Sequence, residues 1–154
     1  MGIEIDLLKN YPKTKRNVKE RGADKTEEDR KIARKFGKEF FDSERKHGYG
    51  GFKYLPRFWQ PVIPRFQEHF NLSPKNSVLD VGCAKGFMMH DMAKLIPGIT
   101  VEGIDISEYA IENAIEDMKP YVNVGNAKKL IFEDNSFDVV ISINTVHNLE
   151  EDEC

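Results

Sequence analysis

Val78-Leu79-Asp80-Val81-Gly82-Cys83-Ala84-Lys85-Gly86-Phe87 decides the fold. An apolar run, β-branched at Val78 and Val81, breaks abruptly into small residues. A helical pattern follows, with Phe87, Met88, Met92, Leu95 and Ile96 on one face. Strand, tight turn and helix in this order open an α/β nucleotide-binding unit. Small residues are needed where the backbone bends sharply and lets a ligand come close. Gly82 and Gly86 flank Ala84 in a G-x-A-x-G spacing, which differs from the G-x-G-x-x-G of dinucleotide folds.

Strands and helices alternate outward from this turn. Strand one is predicted over 77–81 and its helix over 86–96, ended by Pro97-Gly98. Strand two covers 100–105, and Ser107 caps a helix over 108–118. Strand three is predicted at 121–124 and strand four at 137–143, after the turn Glu133-Asp134-Asn135-Ser136. Such βαβα order implies parallel strands with right-handed crossovers. Upstream, Thr26 with Asp29 forms an imperfect capping box for a helix over 26–42, striped by Ile32, Phe36 and Phe40. A loop rich in glycine and aromatics covers 47–56. A second helix over 57–70 carries Pro61 and Pro64, which must sit in its first turns or kink it. The chain thus divides into an irregular basic leader (1–24), a helical and lid segment (25–76) and an α/β core (77–154).

The 154 residues suit one domain with one core. No apolar run reaches the roughly 20 residues of a membrane span. The N-terminus Met1-Gly2-Ile3-Glu4-Ile5-Asp6 does not read as a signal peptide. Two cysteines, Cys83 and Cys154, make no disulfide framework, which points to a reducing, cytoplasmic setting. No cysteine or histidine spacing suggests a metal site. The net charge of −3 is uneven: residues 1–47 hold 14 Lys and Arg against 10 Asp and Glu, the remainder 9 against 16. The basic excess lies at Lys9, Lys13, Lys15, Arg16, Lys19 and Arg21. Only Tyr11 interleaves it, so it reads as a solvated leader rather than a nucleic-acid arm.

Open α/β sheets bind ligands at the carboxyl ends of their strands, and four segments gather there. The first is the glycine turn. The second ends strand two at Asp105-Ile106, 19 residues after Gly86; a carboxylate there can accept hydrogen bonds from both hydroxyls of a ribose. The third is Val124-Gly125-Asn126-Ala127. The fourth is Glu133 to Val140, running into Asn144-Thr145-Val146-His147. Together, over 77–149, they resemble the class I S-adenosylmethionine-dependent methyltransferases, in the small-molecule branch similar to methyltransferase type 11. Asp80-Val81-Gly82-Cys83-Ala84-Lys85-Gly86 is similar to that family's first motif. Gly125-Asn126-Ala127 resembles its G-D-A segment, with Asn126 in place of the acid. Asp134-Asn135-Ser136-Phe137-Asp138-Val139-Val140 resembles its D-x-S-F-D-x-V segment.

The resemblance implies a Rossmann-like fold, S-adenosylmethionine as cofactor, S-adenosylhomocysteine as product, and methyl transfer to a small-molecule acceptor by in-line displacement. Such a reaction depends on placement, which supplies on the order of 7–11 kcal/mol. The implied cofactor residues are Asp80, Gly82, Cys83, Ala84, Gly86, Asp105, Ile106, Asn126, Ala127 and Asn144. His147 borders the reaction region and is the candidate general base for a hydroxyl or amine acceptor. Tyr49 and Tyr54, in the loop Tyr49-Gly50-Gly51-Phe52-Lys53-Tyr54, are candidate lid aromatics that could close over a sulfonium. Neither the D/N-P-P-Y/F of amino-directed DNA methyltransferases nor the Pro-Cys pair of cytosine C5 enzymes occurs, which disfavours base modification.

The family's sheet runs 3-2-1-4-5-7-6, whereas this sequence supplies only strands 3-2-1-4 before Cys154. The expectation is a truncated domain, with strand four an open edge that a second copy could pair. Two rival readings stay open: a cofactor-binding fragment without catalysis, and an NAD-dependent oxidoreductase, which the turn spacing disfavours.

Overall fold

A computed structural model describes residues 2–13 and 25–150. The basic positions Lys15, Arg16, Lys19 and Arg21, and Cys154, lie outside the described residues. The core is a four-stranded parallel sheet in the order β3-β2-β1-β4. Its strands are β1 (Ser77–Val81), β2 (Thr100–Asp105), β3 (Val122–Val124) and β4 (Val139–Ile141). β1 sits centrally, with Val78 opposite Val101 on one side and Val139 on the other. This is the expected 3-2-1-4 arrangement of a Rossmann-like fold. Strand four is shorter than 137–143. Asp138 ends its ladder, because its carboxylate accepts from the N–H (2.7 Å) and hydroxyl (3.0 Å) of Ser77.

Six helices flank the sheet among the described residues: α1 (Glu27–Ala33), α2 (Lys38–Asp42), α3 (Pro56–Trp59), α4 (Ile63–Phe70), α5 (Phe87–Leu95) and α6 (Glu108–Glu112). Three expected helices are broken, each for a tertiary reason. The helix over 26–42 divides at Phe36, which takes φ 48° and gives its carbonyl to the Ser107 hydroxyl. The helix over 57–70 divides at Gln60–Val62. Pro61 has no N–H to continue the ladder, and its carbonyl accepts from the Asn10 amide (3.2 Å). The helix over 108–118 stops at Glu112, because the Ile115 N–H turns to the Lys85 carbonyl (2.9 Å). A 3-10 segment, Glu116–Tyr121, then carries Pro120 into β3.

The two faces of the sheet are packed unequally. On one, α4 and α5 bury Val62, Ile63, Phe66, Met88, Met89 and Met92 against Val78, Val101 and Ile141. Leu7, Leu8 and Tyr11 of the leader pack onto this cluster. Four of the five methionines, Met88, Met89, Met92 and Met118, lie in it. Unbranched thioether side chains fill irregular gaps between helix and sheet well. On the other face Leu79, Val81 and Ile104 pack against the partly buried Ala127, Phe132 and Phe137. No helix among the described residues is long and apolar enough to cross a membrane.

Candidate functional site

The β1–α5 turn is built on left-handed backbone. Gly82, Ala84 and Gly86 have φ of 89°, 49° and 75°, a region that costs an L-residue roughly 1–2 kcal/mol. Hydrogen bonds fix the turn. The N–H groups of Gly82 (2.8 Å) and Cys83 (3.1 Å) both donate to the Ile104 carbonyl, and Gly86 N–H donates to Cys83 O (2.9 Å). Gly86 is the N-cap of α5. Its missing side chain leaves room for Met118, which a β-carbon would approach to 3.1 Å. At Gly82 the open space is already taken, since a β-carbon would fall 1.8 Å from Thr145 Oγ1. The segment after β4 is thereby seated on the turn.

Asp105, at the carboxyl end of β2, closes the turn from the neighbouring strand. One of its oxygens accepts from the Ala84 N–H (2.8 Å), the other from the Ser107 N–H (2.9 Å). Each oxygen keeps a further lone pair for a donor from a ligand. Burial raises the Asp105 carboxyl, and the bonds from Ser107 and Ala84 counter that rise. Asp80, at the end of β1, is 6% exposed. Burial, with the Asp105 charge beside it, pushes its carboxyl up to about 7. Asp105 thus presents a carboxylate to the turn, with the buried Asp80 close enough to feel its charge.

The structure carries the other expected residues to this rim in different ways. Cys83 is buried and its thiol is pushed up, first by burial and then by Asp80 and Asp105, which leaves it inert as a nucleophile. Ile106 is exposed. The Gly125 N–H donates to the Asp105 carbonyl (2.9 Å), bringing Asn126 next to the end of β2. Asn126 Oδ1 accepts from the Lys128 N–H (3.0 Å), and Ala127 packs on the thinner face of the sheet. Asn144 takes φ 58°, and its carbonyl accepts from the Asn148 amide (3.4 Å). His147 lies exposed in the 3-10 turn Val146–Asn148.

The two lid tyrosines part company. Burial, then Tyr11 and Asp105, raise the Tyr49 phenol, so Tyr49 reaches the field of the turn's carboxylate. Its ring leans on Phe52 (4.4 Å) and stacks on Phe41 (5.8 Å). Tyr54 goes elsewhere: its hydroxyl donates to Asp91 Oδ1 (2.6 Å) on α5, and Gln60 joins the same oxygen (3.1 Å). Sequence reasoning missed Lys85, Asp42 and Tyr11. Lys85 lies in the turn between Gly82 and Gly86 with no periodicity to mark it, and Asp42 looks like any surface acid at a helix end. Only Tyr11 carried a signal, as the lone aromatic of the basic leader.

Parts of this chain are similar to known proteins. Residues 78–154 match a family described as a methyltransferase domain. The mouse mitochondrial arginine-hydroxylase NDUFAF5 is 34% identical over 70 residues, 45% of this chain and 20% of that protein. Phosphoethanolamine N-methyltransferase 1 of Arabidopsis thaliana is 35% identical over 91 residues, 56% of this chain and 18% of that protein. The chain therefore spans about a fifth of these curated relatives. A solved structure described as a putative S-adenosylmethionine-dependent methyltransferase from Methanococcus maripaludis matches with a TM-score of 0.53 at 18% identity, over 60% of this chain and 45% of that one, a likeness of fold. With its matched half, its 3-2-1-4 sheet and its glycine turn closed by an acidic residue, the chain belongs to the methyltransferase-domain family and carries the Rossmann-like fold of its class I members.

Proposed function

We propose that this chain binds S-adenosylmethionine at the β1–α5 turn and serves methyl transfer to a small-molecule acceptor by in-line displacement. The observation that carries the reading is the pair of carboxylates, Asp80 and Asp105, set against one left-handed turn. A ligand bearing positive charge relieves their mutual repulsion, and the remaining lone pairs of Asp105 suit hydroxyl donors. When bound, the cofactor supplies an electrophilic methyl group on a sulfonium. The chain's residues do the rest: Asp105 orients, Asp80 balances charge, and the rings of Tyr49 and Phe52 exclude water. Asn144 and His147, beyond β4, border the acceptor side, where His147 can hold a proton taken from a hydroxyl or amine. The name of the Arabidopsis relative supports a small, polar acceptor.

Calorimetry with S-adenosylhomocysteine tests the reading. Saturable one-to-one binding, weakened by Asp105→Asn, is expected. Absence of saturable binding overturns it, and tight binding of NADH instead turns the assignment to an oxidoreductase. A methyl-release assay on the same sample separates catalysis from binding alone.

A further inference from the structure

Lys85 has no part in the proposed cofactor contacts, yet it is the most heavily engaged side chain of the turn. Its ammonium is buried, with the side chain 9% exposed. It lies 2.5 Å from Asp42 Oδ2 and 3.0 Å from the Phe52 carbonyl, and 5.7 Å above the centre of the Tyr109 ring. Asp42 in turn accepts from the Tyr109 hydroxyl (2.7 Å) and the Phe52 N–H (2.9 Å). Burial opposes the Asp42 charge, but the bonds from Lys85, Phe52 and Tyr109 outweigh it and hold the carboxyl below its ordinary range. Three elements distant in sequence, α2, the loop at Phe52 and α6, meet on one ammonium of the glycine turn.

The consequence falls on the aromatic loop. Both the N–H and the C=O of Phe52 are held in this cluster, and its ring stacks on Phe87, the first residue of α5 (5.0 Å). Two residues on, Tyr54 is anchored to Asp91. Gly50 and Gly51, on left-handed backbone (φ 68° and 106°), lie just before this stretch, and the Gly51 N–H donates to the Phe41 carbonyl of α2 (2.9 Å). Tyr49 rests on the Phe52 ring. A lysine suits the task, because a compact charge on a flexible stem can serve a carboxylate and a carbonyl together. A buried pair of this kind is weak evidence for stability and better understood as specifying one geometry.

We propose that Lys85 is a positioning residue: by holding Asp42 and the Phe52 carbonyl at once, it sets Tyr49 and Phe52 as a wall beside the glycine turn, where they pack over a bound cofactor. This rests on the S-adenosylmethionine reading for its ligand, though not for its geometry.

The test uses the full chain with Lys85→Met and, reaching the same tether from the other side, Asp42→Asn. Amide hydrogen exchange is read without ligand, and S-adenosylhomocysteine affinity by calorimetry. Faster exchange at Gly51 and Phe52 is expected in both variants, with β1 unchanged and melting still cooperative. If the wall is then in place in a tenth of molecules, affinity falls about tenfold. A merely structural role would lower the melting temperature and raise exchange throughout. That outcome, unchanged exchange at 51–52, or wild-type affinity in both variants overturns the proposal. A wild-type chain that binds no S-adenosylhomocysteine overturns the cofactor reading, and the exchange measurement then decides the geometry alone.

Discussion

The carboxylate of Asp105 accepts a hydrogen bond from the backbone N–H of Ala84 (2.8 Å), so the shape of the glycine turn depends on a side chain from the next strand. Removing that side chain costs twice over. Asp105→Ala leaves the Ala84 and Ser107 N–H groups without their acceptor and is expected to destabilise the fold by about 1–3 kcal/mol. Asp105→Asn keeps an acceptor oxygen and costs less in stability, but loses the charge. Urea unfolding beside S-adenosylhomocysteine titration separates the two variants: Ala loses both stability and binding, Asn chiefly binding.

Asp80 makes stability depend on pH in a defined direction. Its carboxyl is pushed up to about 7 in the folded chain, against roughly 3.9 when unfolded. The native state holds the extra proton between these values, so this group's contribution falls as pH rises through the window. Asp80→Asn, neutral and similar in shape, removes the dependence. The advantage of Asn over Asp should grow between pH 4 and pH 7 by at most about 1.4 kcal/mol per unit and then level off. Urea midpoints at several pH values check it; a constant difference across the range sinks the idea.

Gly82 and Thr145 are sterically coupled. Gly82→Ala places a β-carbon 1.8 Å from Thr145 Oγ1 on backbone at φ 89°, and a loss of about 2 kcal/mol or more is expected from strain and clash together. Thr145→Gly removes the clash but not the strain. The double variant should therefore be more stable than the sum of the two single losses by about 0.5–3 kcal/mol. Strict additivity would mean that Thr145 does not sit on Gly82 in solution.

The Tyr54 hydroxyl is expected to act as an anchor rather than as a ligand contact. Tyr54→Phe deletes the bond to Asp91 Oδ1, in a site where Asp91 Oδ2 is already buried without a hydrogen-bond partner among the described residues. A loss of about 1–3 kcal/mol is expected, with S-adenosylhomocysteine affinity changed less than twofold (about 0.4 kcal/mol). Thermal melts and calorimetry on one preparation decide it. A large affinity loss without destabilisation would place the Tyr54 hydroxyl on the ligand instead.

Period and turn chemistry made the sheet legible. Val78 to Val81 and Val101 to Asp105 read as buried strands, and the order β3-β2-β1-β4 follows from right-handed crossovers. The acidic end of β2 was legible too, because Asp105 follows an apolar run and precedes the cap Ser107. Helix lengths were not. Phe36 and Ile115 each continue a helical stripe in sequence, yet one gives its carbonyl to Ser107 and the other its N–H to Lys85. These partners are 71 and 30 residues away, outside the reach of any local pattern. Lys85 and Asp42 were illegible for the same reason, since a buried ion pair leaves no periodicity behind it.

The methionine lining of α5 provides a spectroscopic window. Met89 Sδ would lie 2.6 Å from a β-carbon on Gly103, beside Cys83, and the Met118 side chain abuts Gly86. Both therefore touch the glycine turn from the core side. Methyl-labelled methionine would give a handful of resolvable NMR signals, two of them from residues pressed against the turn. Movement of the turn on ligand arrival would then register as chemical-shift changes at Met89 and Met118, while Met92, one helical turn further along α5, serves as an internal reference.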